Sequence, residues 1–269
     1  MALKLAAVAT VQPTTFEAVA ARENLEQNVR LMRYLGYDGV ELAVRDPSQL
    51  DADSIASLIS ECGLLVPAIG TGQAYIEEGL SFADSDPRIR RSAVDRVKQH
   101  VEVAARFDAQ VIVGLIRGTC EKREEQGEAL KRLGDCLLEC ASYGAEHGVR
   151  LLLEPLNRYE TGLLNNFRQT IEFLDDIGAE NIGVLADSFH MNIEEPCIAE
   201  SLIVAGKKIA HVHVADSNRE APGRGHIDFA EFVTTLTEIG YDGFYSAEIL
   251  PIPDGNSAIT DAITFMRSL

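Results

Sequence analysis

Residues 149–160 read VRLLLEPLNRYE: an apolar, strand-forming run that stops at a glutamate followed by a proline. Apolar runs of this kind, with little polar alternation, mark strands of a parallel sheet covered by helices on its outer face. Working outward in both directions, the same form recurs: VIVGLI at 111–116, GVLAD at 183–187, HVHVAD at 211–216 and FYSAE at 244–248. Eight strands are expected in all, at residues 3–10, 39–44, 65–70, 109–116, 149–155, 182–187, 209–215 and 243–249. Amphipathic helices alternate with them, at about 25–35, 52–62, 86–107, 124–147, 167–177, 198–207, 228–240 and 258–267. In DFAEFVTTLTEIG (228–240), Phe229, Phe232, Val233, Leu236 and Ile239 share one face, Asp228 caps the start and Gly240 ends the helix. The tetrapeptide GYDG occurs twice, at 36–39 and 240–243, each time between a helix and the next strand.

Eight such units fit either an open doubly wound sheet or a closed (β/α)₈ barrel. The glycine-rich phosphate loop that usually follows an early strand of an open sheet is absent, so the expected fold is α/β, a single (β/α)₈ TIM barrel over residues 1–269. The N-terminal MALKLAAVATVQP reads as the first barrel strand, because no cleavage region follows it. No apolar run is long enough to suggest a membrane span.

The chain has 42 Asp and Glu against 24 Lys and Arg, a net charge of -18. Such a surface repels a phosphate backbone and offers no basic stripe to nucleic acid or anionic lipid, which favours small diffusible substrates. The five cysteines are odd in number and form no CxxC pair. Cys136 and Cys140, four apart on a predicted helix, read as packing residues, and the chain reads as a reduced, cytoplasmic protein.

In a barrel of this type the chemistry sits at the C-terminal ends of the strands. Four polar residues fall there: Glu154, Asp187, His213 and Glu248, separated by 33, 26 and 35 residues. Each interval is about one strand–helix unit, so the four come from strands five to eight, neighbours around the ring. Three carboxylates and an imidazole held this close are electrostatically unfavourable without a cation. One divalent metal ion is expected, Mn²⁺ first, with Mg²⁺, Co²⁺ and Zn²⁺ as alternatives.

The segments EPLNRYE, DSFH, HVHVADSNREAPGRGHIDF and SAE resemble the xylose isomerase-like TIM barrel superfamily. Within it the resemblance is to ketose 3-epimerases related to D-tagatose 3-epimerase, and to hydroxypyruvate isomerase-like proteins. It covers about residues 149 to 250. It implies that Glu154, Asp187, His213 and Glu248 bind the metal, and that His190 and Arg219 hydrogen-bond substrate oxygens. Glu160 would contact the substrate's reactive end, and the chain would form a dimer or tetramer. His211, two residues before His213 on the same strand face, reads as a buried, hydrogen-bonded histidine one layer deeper.

The implied activity is that of a metal-dependent sugar isomerase or epimerase. A metal on the carbonyl and hydroxyl oxygens stabilises an enediolate, while Glu154 and Glu248 act as acid and base on opposite sides of a small ketose or related hydroxy-ketone. Return of the proton to the same carbon epimerises, and return to the neighbouring carbon interconverts aldose and ketose. The chain lacks the tryptophan with which ketohexose epimerases wall their sugar. Arg117, in GLIRG after the fourth strand, lies where it can signal an anionic substrate or pair with an acid. Hydroxypyruvate isomerisation and dehydration of an inosose-type ketone use the same scaffold. The phosphodiester hydrolysis of endonuclease IV needs further histidines from earlier strands, and neither IGTGQAY nor GLIRG has one.

Overall fold

A computed structural model describes residues 2–120 and 122–269. Among them, eight strands follow one another around a ring: β1 (Lys4–Thr10), β2 (Gly39–Ala43), β3 (Ala68–Gly70), β4 (Gln110–Val113), β5 (Leu151–Leu153), β6 (Ile182–Asp187), β7 (Ile209–Val214) and β8 (Phe244–Ala247). Every pairing is parallel, and β8 pairs with β1 from Lys4↔Phe244 to Ala7↔Ala247, which closes the barrel. The outer helices are α1 (Leu25–Leu35), α2 (Ala52–Glu61), α3 (Gly72–Glu78), α4 (Pro87–Ala105), α5 (Gln126–Glu146), α6 (Phe167–Asp176), α7 (Ser188–Glu194), α8 (Ile198–Ala205), α9 (Phe229–Glu238) and α10 (Gly255–Arg267). The expected (β/α)₈ barrel is therefore the observed fold.

Strand alternation divides the core in two. Leu5, Ala7 and Ala9 of β1, with Val40 and Leu42 of β2, point outward into the cluster shared with the helices. Ala68, Ile112, Leu152 and Leu185 point inward and fill one layer of the barrel interior. Above that layer the interior turns polar. A register shift between Val184 and Leu185 sets Leu185 against His211 and Asp187 against His213. Such bulges at barrel rims re-aim side chains, and this one brings a carboxylate and an imidazole level with each other.

Several strands are shorter than their apolar runs. The run 109–116 pairs only from Gln110 to Val113, after which Gly114 turns the chain into a 3₁₀ turn at Leu115–Arg117. The run 65–70 pairs continuously only from Ala68, just after Pro67, which has no N–H for the ladder. Two short helices were not expected, α3 and α7, and both sit at the C-terminal rim. The two GYDG segments do the same work: Gly36 and Gly240 take φ of 89° and 84° where α1 and α9 stop. Cys136 and Cys140 are buried in the core, as read from the sequence.

Candidate active site

The four strand-end residues converge. Glu154 follows β5, Asp187 ends β6, His213 lies near the end of β7 and Glu248 follows β8. One ligand atom from each lies within 4.8 Å of every other. From His213 Nδ1 it is 3.7 Å to Glu154 Oε1, 3.7 Å to Asp187 Oδ2 and 3.9 Å to Glu248 Oε2. A divalent ion with bonds of about 2.2 Å separates neighbouring ligands by roughly 3.1–3.6 Å, so small side-chain movements suffice to seat one.

Asp187 serves two ends at once. Its Oδ1 caps α7 by accepting from the N–H groups of Phe189 (2.7 Å) and His190 (3.3 Å), which leaves Oδ2 for the centre. Gly114 makes room for Glu154, since a Cβ there would lie 2.6 Å from Glu154 Oε2. Glu154 Oε1, His213 Nδ1 and His190 Nε2 are buried without a hydrogen-bond partner among the described residues. Orphaned polar atoms of this kind, clustered at one point, fit a cation-and-substrate site.

The electrostatics agree. Burial pushes the Glu154 carboxyl well above its usual range, against the pull of His213 and with the push of Glu248 and Asp187. Burial also raises Glu248, to about 7, although His213 and Arg219 oppose it. Burial works against charge on Asp187 and on His213 too. There the neighbours prevail: His190, His213 and Arg219 hold Asp187 at about 2, and Glu41 holds His213 well above the usual imidazole range.

Glu41 was not anticipated. Its Oε1 lies 3.0 Å from His213 Nε2 and its Oε2 lies 2.7 Å from His211 Nε2. His211 is the buried, hydrogen-bonded histidine expected one layer below. Glu41, His211 and His213 also lie close enough to hold an ion. With both carboxylate oxygens already engaged by imidazoles, this trio reads as the support under His213. The signal was present in GVELAV (39–44), a charge inside an otherwise apolar strand.

Asn157 fixes Glu160 and His190. Its Oδ1 accepts from Tyr159 N (2.9 Å), so its Nδ2 is the donor to Glu160 Oε1 (2.9 Å) and His190 Nδ1 (2.8 Å). His190 Nδ1 therefore accepts, and burial lowers its pKa, so a neutral ring carries its proton on Nε2. That proton points toward Glu154 and Asp187, 3.9 and 3.8 Å away. Arg219, at φ 62°, reaches Glu160 (2.8 Å) and Glu248 (3.2 Å) and lies over the rings of Phe189 and Phe16 at 4.8 and 5.8 Å. His190, Arg219 and Glu160 thus all line the cavity that contains Glu154, His213 and Glu248.

Arg117 lies elsewhere. It is fully buried, donates to Leu164 O at 3.3 Å and does not line the cavity, but the charges of Glu154 and Glu160 act on it. Of the two expectations for it, interaction with acids is the one the site supports, through Glu154 and Glu160. Arg224 pairs with Asp261 and His226 with Ser217, both away from the cavity. No helix among the described residues is long and apolar enough to cross a membrane.

The family model described as "Xylose isomerase-like TIM barrel" matches residues 29–269. An L-ribulose 3-epimerase from Methylomonas sp. is 31% identical over 221 residues, 77% of this chain and 72% of its own. A 3-dehydro-D-guloside 4-epimerase from Escherichia coli is 26% identical over 259 residues, 91% of this chain and 95% of its own. The crystal structure of a D-allulose 3-epimerase from Methylomonas sp. shares the fold with a TM-score of 0.85 and 24% identity, over 99% of this chain and 97% of that one. The chain belongs to the xylose isomerase-like TIM barrel family.

Proposed function

We propose that this chain is a metal-dependent epimerase of a small ketose, using Glu154 and Glu248 as its two proton-transfer groups. Mn²⁺ is the first choice of ion, held by Glu154, Asp187, His213 and Glu248. Relatives named as epimerases support assignment to the epimerase and isomerase class. The observation that carries the finer reading is that two glutamates, one after β5 and one after β8, meet Asp187 and His213 in one group of donors. A divalent cation bound there supplies positive charge to the oxyanion that develops as a proton leaves the carbon beside a ketone.

The protein's own groups do the rest. His190 offers its Nε2 proton to a substrate oxygen, and Asn157 keeps that tautomer in place. Arg219, braced by Glu160 and Glu248, presents its unpartnered Nε–H at the same cavity. Apolar walls at Val8, Phe16, Leu115 and Leu156 exclude water from the exchange. One glutamate takes the proton from one face and the other returns a proton to the opposite face, which inverts the centre. Return to the neighbouring carbon gives isomerisation from the same groups. The five unpaired cysteines fit a reducing cytoplasm.

A second reading has its own support: the 3-dehydro-D-guloside 4-epimerase aligns over 95% of its length, against 72% for the L-ribulose 3-epimerase. Inversion at carbon 4 of a 3-keto sugar is the same proton transfer, one carbon from the ketone. Incubating manganese-loaded enzyme in D₂O with ketoses, 3-keto-glycosides, keto acids and sugar phosphates tests both. Deuterium at the inverted carbon of a ketose supports the first reading, and at carbon 4 of a keto-glycoside the second. Absence of exchange in every neutral sugar rules out both.

A further inference from the structure

Gln73 is 2% exposed, lines the cavity, and among the described residues neither its Oε1 nor its Nε2 has a hydrogen-bond partner. A buried amide left without partners is destabilising, so it points to a partner that arrives with the substrate. The side chain follows β3, while His213 is on β7, diametrically opposite in an eight-stranded ring. Since the four candidate ligands come from β5 to β8, a substrate reacting at that side extends its other end toward Gln73.

The chemistry of that end follows from the wall around it. Thr71 spends its hydroxyl on Ile112 O at 2.7 Å, and Leu115 and Phe16 are apolar. Among the described residues that line the cavity, the one Lys or Arg is Arg219, already engaged by Glu160 and Glu248. No lining Lys or Arg is left there to neutralise a phosphate or carboxylate. An anion also only accepts, and would leave Oε1 of Gln73 buried without a donor. A hydroxyl both donates and accepts and matches the amide.

Resting on the function proposed above, we infer that Gln73 is a specificity residue that reads a hydroxyl on the far end of a neutral polyhydroxy ketone. Phosphorylated and carboxylated substrates are thereby disfavoured.

The test compares manganese-loaded wild type with Gln73→Leu and Gln73→Met. Each is assayed on the best neutral substrate, on its analogues lacking one tail hydroxyl at a time, and on its terminal phosphate. Wild type should lose about 10- to 100-fold in kcat/KM for one of the deoxy analogues and more for the phosphate. Both variants should treat that analogue and the parent alike, with the loss on the parent appearing in KM. Manganese affinity by calorimetry and the melting temperature should stay at wild-type values, which separates substrate reading from damage to the fold. If one variant fails to fold, the other gives the comparison. Wild type that accepts every deoxy analogue equally, variants that keep the discrimination, or efficient turnover of the phosphate would overturn the inference while leaving the proposed activity standing. A wild type inactive on all neutral sugars would overturn both.

Discussion

Glu41 Oε1 lies 3.0 Å from His213 Nε2, which leaves His213 Nδ1 facing Glu154, Asp187 and Glu248. A metal-binding imidazole is commonly held this way, with a carboxylate on its second nitrogen fixing tautomer and ring angle. Glu41 does it from the opposite arc of the barrel, and His211 in turn holds Glu41. The Glu41→Gln variant keeps the shape and removes the charge. Its manganese affinity is expected to fall about 10- to 100-fold, read by calorimetry or chelator competition. Wild-type affinity in that variant would remove Glu41 from the support of the site.

Glu154 and Glu248 carry the proposed proton transfers, so Glu154→Gln and Glu248→Gln should each lower kcat by at least about 10²-fold. Circular dichroism should remain that of the folded barrel, because both side chains sit at the rim above the apolar layer. A single variant with full turnover would show that two-glutamate chemistry is not what this site does.

The fold and the ring of four were legible because each rests on a periodic signal. Apolar runs recur at the spacing of a strand–helix unit, and Glu154, Asp187, His213 and Glu248 end four of those units. The supports were less visible. Glu41 stood out only as a charge in an apolar strand, and Asn157 only by its nearness to Glu154. Gln73 gave no signal at all, since its role depends on being buried without a partner, which no spacing encodes. Arg117 misled for the complementary reason. Its position after β4 suggested the mouth, but in the 3₁₀ turn at Leu115–Arg117 it is fully buried and off the cavity lining.

Gly114 offers a separate check on the position of Glu154. A methyl group at this residue would lie 2.6 Å from Glu154 Oε2, and the movable partner is the end of the glutamate side chain. Gly114→Ala should therefore leave the barrel folded and push the carboxylate out of the ring. Manganese affinity is expected to drop at least about tenfold, with a melting temperature for the metal-free protein near that of wild type. The reverse pattern, a destabilised barrel with intact affinity, would place the strain in the backbone.

Removing the metal should make stability depend on pH with a definite sign. In the metal-free protein burial raises Glu154 and Glu248, the latter to about 7, and Glu41 raises His213. Unfolded, these groups titrate at about 4.3 to 6.5, so between there and alkaline pH the folded chain holds more protons than the unfolded one. Their contribution is then present at low pH and is lost as pH rises through the folded values. Asp187, held at about 2, acts oppositely only in acid, while His100, His190 and His211, lowered by burial, act oppositely near their unfolded value and offset part of the trend at pH 6. A bound divalent ion needs all these donors deprotonated, so it releases at least one proton at pH 7 and binds more tightly as pH rises. Calorimetric melting with chelator should give a lower melting temperature at pH 8 than at pH 6, and the increment added by manganese should be larger at pH 8. An increment equal at both values, or larger at pH 6, would mean that the ion does not displace protons from Glu154, Glu248 and His213.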